Sequence, residues 1–263
     1  TDSYLNMNAV LSAAIVTGAQ AIHPGFGFLS ENSKFATMCE EMHIKFIGPS
    51  AEIMDKMGDK INARAEMIAA NVPVIPGSDG EVFTAEEALE VADRLGYPIM
   101  LKASAGGGGK GIRKVESAEE LVPAFESASQ EALAAFGNGA MYIEKVIYQA
   151  RHIEVQILGD SHDNVVHLGE RDCSLQRNNQ KVLEESPSVA IGKTLRGKIG
   201  DAAIRAAKAV HYENAGTIEF LLDEKTSEFY FMEMNTRVQV EHPVTEFVTG
   251  IDIVKEQIRI AAG

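Results

Sequence analysis

The sequence predicts a short α/β segment followed by a larger α+β body, and three observations carry that prediction. Short apolar runs alternate with helical stretches through residue 50, in the order of a parallel α/β unit. A Pro/Gly-rich hinge, "NVPVIPGSDG" at 71–80, then interrupts the chain. Beyond residue 148 the chain is rich in strands and has one long helix among them.

Taken in order, "YLNMNAVLSAAIVTG" (4–18) reads as a helix closed by Gly18. "AQAIHP" and "IKFIGP" are short strands, and the stretch between them turns into a helix with Ser30 as its N-cap. Residues 51–70 are helical, with a break at Gly58. After the hinge, "TAEEALEVADRLG" is a helix with a Thr84/Glu87 capping box and Gly96 at its end. "YPIMLKAS" and "GIRKVES" are strands on either side of a glycine run. "SAEELVPAFESASQEALAAFG" is a helix with a second capping box, Ser117/Glu120, and "MYIEKVI" is a strand. The strands "RHIEVQILGD", "VVHLGERDCS", "GTIEFLLD" and "EFYFMEMN" follow, with a helix at about 193–211.

The balance of charges narrows the function. With 38 acidic against 24 basic side chains the formal charge is −14, which argues against a nucleic-acid surface. A local cleft of lysines can still bind a small anion. No apolar run is long enough to span a membrane. The two cysteines, Cys39 and Cys173, lack metal-ligand spacing and read as reduced thiols of a cytosolic protein. The chain opens at Thr1 and stops inside an amphipathic pattern, so we expect a fragment of something longer.

"SAGGGGKG" (104–111) asks which phosphate loop it could be. A Walker A loop requires glycine at 104 and Ser or Thr at 111, where Ser104 and Gly111 stand. The dinucleotide pattern G-x-G-x-x-G fits Gly106, Gly108 and Gly111, but it requires a helix directly afterwards, and "GIRKV" is a strand pattern. The run is therefore expected to join two antiparallel strands and to lay backbone N–H groups and Lys110 over phosphates. A bare surface hairpin is the alternative.

"GTIEFLLDEKTSEFYFMEMNTRVQVEHPVTE" (216–246) is expected to form a hairpin. From Phe229 the odd positions carry Phe229, Phe231, Glu233, Asn235, Arg237, Gln239 and Glu241, and the even positions are mostly apolar. A symmetric link would pair 219 with 231, making Glu219 and Glu233 diagonal neighbours that can share Mg²⁺ or Mn²⁺ between them, with Asn235 adding an oxygen. The alternative is a wet outer face. His23 reads as a turn-shaping residue, Cys173 as a packed thiol, and His162 and His211 as surface residues; no H-E-x-x-H zinc motif is present.

"HPGFGFLSEN", "MGDK", "LKASAGGGGKGIR", "ERDCSLQR", "GTIEF" and "EMNTRVQVEHPVTE", in this order, closely resemble the biotin carboxylase family of ATP-grasp enzymes across essentially the whole chain. The resemblance implies an ATP-grasp fold: the end of a Rossmann-like N-terminal domain (1–50), linker helices (51–73), a small lid (74–147) and a central antiparallel-sheet domain (148–263). It implies nucleotide contacts at Lys60, Lys102, Gly108, Gly109, Glu144, Lys145, Val146, Ile147, His152 and Gln176. At "QRNNQK", Asn179 stands where the family has a histidine; an asparagine can still hydrogen-bond a ribose hydroxyl. It implies metal ligation by Glu219 and Glu233 beside Asn235, and bicarbonate held against Lys181, Arg237, Gln239 and Val240, with Glu241 as general base. Arg237, Glu241 and Lys181 are the implied catalytic residues.

The implied reaction is ATP- and bicarbonate-dependent carboxylation of biotin on a biotin carboxyl carrier protein, with Mg²⁺ or Mn²⁺. That reaction is the first half of acetyl-CoA carboxylation in fatty acid synthesis, and pyruvate and propionyl-CoA carboxylases share these motifs. The implied partners are the carrier protein, carboxyltransferase subunits and, at full length, a second copy of the chain. The start of the N-terminal domain and a C-terminal region with a further biotin-site arginine lie outside these motifs. A different ATP-grasp ligase and a non-catalytic nucleotide-binding module are the competing readings, with a dinucleotide dehydrogenase as the outsider.

Overall fold

The computed structural model describes residues 3–104, 111–178 and 180–263. Gly108, Gly109, Lys110 and Asn179 lie outside the described residues. The chain divides into two units, one of residues 1–74 and 149–263 and one of residues 75–148.

The first unit begins with α1 (Met7–Thr17), which Asn6 caps through its side chain and Gly18 ends at φ 69°. There a left-handed backbone favours glycine. The strands β1 (Ala21–Ile22) and β2 (Lys45–Phe46) pair in parallel, with α2 (Ser33–Glu41) between them. This is the expected α/β alternation. The N-cap of α2 is Asn32, not Ser30: the Asn32 side chain accepts the Phe35 amide at 2.8 Å, and Ser30 is buried in the turn before it. Two helices follow, α3 (Ala51–Gly58) and α4 (Lys60–Ala69). The break falls where Asp59 caps α4 by accepting the Ile61 and Asn62 amides.

The second unit holds α5 (Ala85–Leu95), β3 (Ile99–Ala103), β4 (Arg113–Val115), α6 (Ala118–Phe136) and β5 (Met141–Lys145). Its sheet has the order β4-β3-β5, all antiparallel. The segment after the glycine run is thus a strand, and the next helix waits until Ala118, which removes the dinucleotide reading. The Thr84/Glu87 capping box forms. The second box does not: Ser117 makes no side-chain cap bond, and Glu120 accepts the amide of Glu116 instead. Ile99, Leu101, Val115, Leu121, Met141 and Ile143 form the core of this unit.

The first unit resumes with β6 (Ala150–Gly159), β7 (Val165–Arg177), β8 (Gln180–Glu185), α7 (Lys193–Ala209), β9 (Asn214–Asp223), β10 (Phe229–Asn235), α8 (His242–Thr249) and α9 (Ile253–Ala262). Its antiparallel sheet has the order β10-β9-β6-β7-β8. The sequence pattern did not reveal β8, because Val182 and Leu183 are adjacent, exposed and not alternating. On the central strands the alternation is strict. Ile153, Val155 and Ile157 of β6 and Ile218, Phe220 and Leu222 of β9 share one face, packed against α3, α4 and α7. The intervening His152, Glu154, Gln156, Thr217 and Glu219 share the other.

The hairpin β9–β10 departs from the symmetric register. Phe231 pairs with Phe220, and the pairing then shifts so that Glu233 lies directly opposite Glu219. The extra residue, Met232, is a β-bulge. It also changes the face on which odd positions fall. Phe229 and Phe231 pack into the core together with Met234, while Met232, Glu233 and Asn235 line a cleft. The expected grouping of Phe229 and Phe231 with Glu233 is overturned, because a bulge switches sidedness within a strand. Among the described residues, no helix is long and apolar enough to cross a membrane.

Candidate active site

The polar face of the five-stranded sheet forms the floor of a cleft of about 830 Å³ within the first unit. His152, Gln176, Lys181, Glu219, Glu233, Asn235, Arg237, Gln239, Val240 and Glu241, all singled out from sequence, line it together. Their chain positions span 90 residues, but the sheet register makes them neighbours: Glu154 pairs with both Arg171 and Glu219, and Gln176 with Lys181.

Lys181 sits among three carboxylates. Its Nζ lies 2.5 Å from Glu154, 2.9 Å from Glu219 and 2.7 Å from Glu241. These use all three ammonium hydrogens. Burial would lower its pKa, but Glu154 and Glu219 outweigh burial and raise it, so the lysine is a permanent cation. Glu219 gathers donors in turn: Asn235 at 2.8 Å, Gln239 at 3.0 Å and Lys181, all on Oε1, while His152 Nε2 lies 2.7 Å from Oε2 without a hydrogen bond. Burial would raise its pKa, but His152 and Lys181 hold it down at about 2. Gln176 fixes the other side of the His152 ring, with its amide nitrogen 2.9 Å from Nδ1.

Glu233 shows the opposite trend. It is exposed at the cleft, and partial burial followed by the facing Glu219 raises its pKa. Two carboxylates held face to face, one of them short of counter-charge, form a hard-oxygen donor set that fits Mg²⁺ or Mn²⁺. The Asn235 amide nitrogen is committed to Glu219 and its Oδ1 to Arg237, at 3.0 Å. The charge of Lys60, the first residue of α4, acts on Glu233 from outside the cleft lining.

Arg237 and Glu241 lie on the turn between β10 and α8. Arg237 Nε donates to Glu31 at 2.9 Å, and Glu31 also takes the amide of Thr236 at 3.0 Å. Glu241 is buried and meets Lys181 through Oε1; its Oε2 has no hydrogen bond among the described residues. Glu184 also lines the cleft, and its pKa is raised by burial and then by Glu241. Cys173 is fully buried, and its thiol is pushed far up by burial and by Glu154, which makes it inert. His23 accepts the Gly25 amide at 3.1 Å, as a turn-shaping residue does.

The remaining site residues belong to the second unit. Lys102 on β3 and Glu144 on β5 form an ion pair. Lys145, the last residue of β5, and Val146 donate their amides to Pro76 and Pro98, at 2.8 and 3.3 Å, and Val146 and Ile147 are half-buried just after the strand.

Glu31, Glu154, Arg171 and Glu184 were missed from the sequence. The alternation of β6 places Glu154 in line with His152 and would have found it. No local pattern reports Glu31, because its partner is 206 residues away.

Residues 59–263 match the ATP-binding domain family of the carbamoyl-phosphate synthase L chain, and residues 1–54 match the N-terminal domain family of biotin carboxylase. The chain belongs to the biotin carboxylase family. Its fold is accordingly the ATP-grasp fold. Among biotin carboxylases, that of Nostoc sp. is 59% identical over 99% of this chain and 58% of its own length. The solved complex of Campylobacter jejuni biotin carboxylase with β,γ-ATP is 54% identical, covering 100% of this chain and 59% of that one, with TM-score 0.92. The biotin carboxylase domain dimer of Hydrogenobacter thermophilus 2-oxoglutarate carboxylase, solved with MgADP, ADP and bicarbonate, is 54% identical over 100% of this chain and 58% of that one, at TM-score 0.89. The chain therefore spans a little under three-fifths of each of these three relatives.

Proposed function

We propose that the chain supplies the nucleotide-binding and bicarbonate-activating part of a biotin carboxylase. The parent protein converts ATP, bicarbonate and carrier-bound biotin into ADP, phosphate and carboxybiotin. The observation that carries this reading is the cleft in which Lys181, Arg237, Gln239, Val240 and Glu241 meet the facing carboxylates Glu219 and Glu233. The relatives crystallised with nucleotide and with bicarbonate support it.

In this reading Arg237 and Gln239 hold the bicarbonate anion through N–H groups and Lys181 attracts it by charge, and Glu241 Oε2 accepts its proton. The ammonium of Lys181 orients Glu241 and offsets charge on the attacking oxygens. Glu219 and Glu233, steadied by Asn235, hold Mg²⁺ or Mn²⁺, which when bound neutralises phosphate charge during transfer. The family resemblance assigns nucleotide contacts to Lys60, His152 and Gln176, and likewise to Lys102, Glu144, Lys145, Val146 and Ile147. Gly108, Gly109 and Asn179 would complete the nucleotide site. We assign the parent to acetyl-CoA carboxylation, with a biotin carboxyl carrier protein and carboxyltransferase subunits as partners and a homodimer as the full-length state. The kinship with 2-oxoglutarate carboxylase keeps other acceptors as the second reading.

The test is bicarbonate-dependent ADP formation by the full-length parent with and without free biotin. Stimulation by biotin is expected. ATP cleavage indifferent to biotin, but stimulated by another carboxylate, contradicts the assignment.

A further inference from the structure

Arg171 on β7 is wholly buried, as is its partner Glu154, and it does not line the cleft. All five of its N–H groups are used. Nε donates to Glu154 Oε1 at 2.5 Å, Nη1 to Gln156 at 2.9 Å and Thr245 at 2.8 Å, and Nη2 to Thr217 at 3.3 Å and Gln239 Oε1 at 3.0 Å. A buried ion pair of this kind is a costly way to stabilise a fold, since apolar side chains of similar volume serve as well or better. Its partners suggest a different use.

Resting on the proposed function, we propose that Arg171 is the positioning residue of the bicarbonate site, aligning Gln239 directly and Lys181 through Glu154. The argument has two branches. A primary amide can present either end to a neighbour, but a guanidinium only donates. Arg171 therefore selects the oxygen of Gln239, which leaves its NH₂ to meet Glu219 at 3.0 Å. With the amide reversed, NH₂ would face a guanidinium and the carbonyl a carboxylate, two repulsive contacts in a dry site. The second branch runs through Glu154. One of its oxygens is fixed by Arg171 and the other receives Lys181 at 2.5 Å. Arg171 thus fixes the orientation of the carboxylate that anchors the lysine. Both branches end on residues assigned to bicarbonate.

The test compares Arg171→Lys with Thr245→Val in the full-length parent. Lysine keeps a charge for Glu154 but lacks the planar fork that reaches Gln239. In Arg171→Lys the KM for bicarbonate is expected to rise about tenfold or more, while the KM for MgATP stays within about twofold. Thr245→Val removes only the bond to α8 and is expected to leave the KM for bicarbonate within about twofold even if Tm falls. An unchanged KM for bicarbonate in folded Arg171→Lys, or equal rises for both substrates, overturns the proposal. Should that variant not fold, Glu154→Gln reads the Lys181 branch, and an unchanged KM for bicarbonate there overturns it too. Failure of the functional reading is separable: a wild-type parent without bicarbonate-dependent ATP cleavage contradicts the function alone. The positioning claim is then read from a crystal structure of Arg171→Lys, where the Gln239 amide is expected to have left Glu219. An amide still in its wild-type contact overturns the claim.

Discussion

The two faces of the five-stranded sheet are made by the same strands and are equally dry at their centre, yet they do opposite work. Ile153 and Ile218 on one face are fully buried, as are Glu154 and Gln156 on the other. The apolar face gains stability from area removed from water. The polar face must spend its interactions on itself, since each buried charge or amide needs a partner to offset its lost hydration. Lys181, Arg171, Glu154 and Glu219 supply those partners to one another. The comparison teaches that burial alone does not mark a structural residue. On β6 and β9, strict alternation separates a face that holds the fold from a face that gathers charges.

Breaking the polar face at its acting oxygen is expected to have the largest effect. Glu241→Gln keeps shape and a Lys181 contact but removes the base, so bicarbonate-dependent turnover should fall about 10²–10⁴-fold with little change in Tm. Steady-state assays beside thermal melts read this. Breaking the apolar face should do the reverse. Phe220→Ala should cost about 3–5 kcal/mol in urea unfolding while turnover per folded molecule persists. Phe220 is fully buried and stacks edge-on with Phe229 at 5.5 Å, so a cavity must form.

The smallest effect sharpens the boundary between the faces. Asp172 shares the Ile153 side of the sheet and accepts Ser188 at 2.8 Å and Ser174. Burial would raise its pKa, but the serine hydroxyls and Arg151 outweigh burial and lower it from the ordinary 3.8. A lowered carboxylate contributes stability that is complete above the unfolded value and lost as pH falls below it. The stability difference between wild type and Asp172→Asn should be about 1–3 kcal/mol near neutral pH and shrink as pH falls below 3.8. A pH-independent difference contradicts this account.

Much of this arrangement was legible in the sequence, because period-2 alternation on β6 and β9 and capped 3.6-period helices are local signals. The strand after the glycine run was legible in the same way. The β8 strand was not, since its apolar residues face outward next to one another. The register of Glu219 and Glu233 was not legible either. A symmetric hairpin predicts a diagonal pair, and only the bulge at Met232, set by Phe231 and Met234 both seeking the core, brings the two carboxylates face to face. The hold of Glu31 on Arg237 depends on how a loop near the N-terminus meets a turn near the C-terminus, and no local pattern encodes that.

The most direct measurement of the central claim, that the polar face activates bicarbonate, is turnover and nucleotide binding of Arg237→Ala in the full-length parent. The account predicts bicarbonate-dependent ATP cleavage reduced by about 10²-fold or more, with nucleotide Kd within about threefold of wild type. Undiminished turnover in that variant would contradict it.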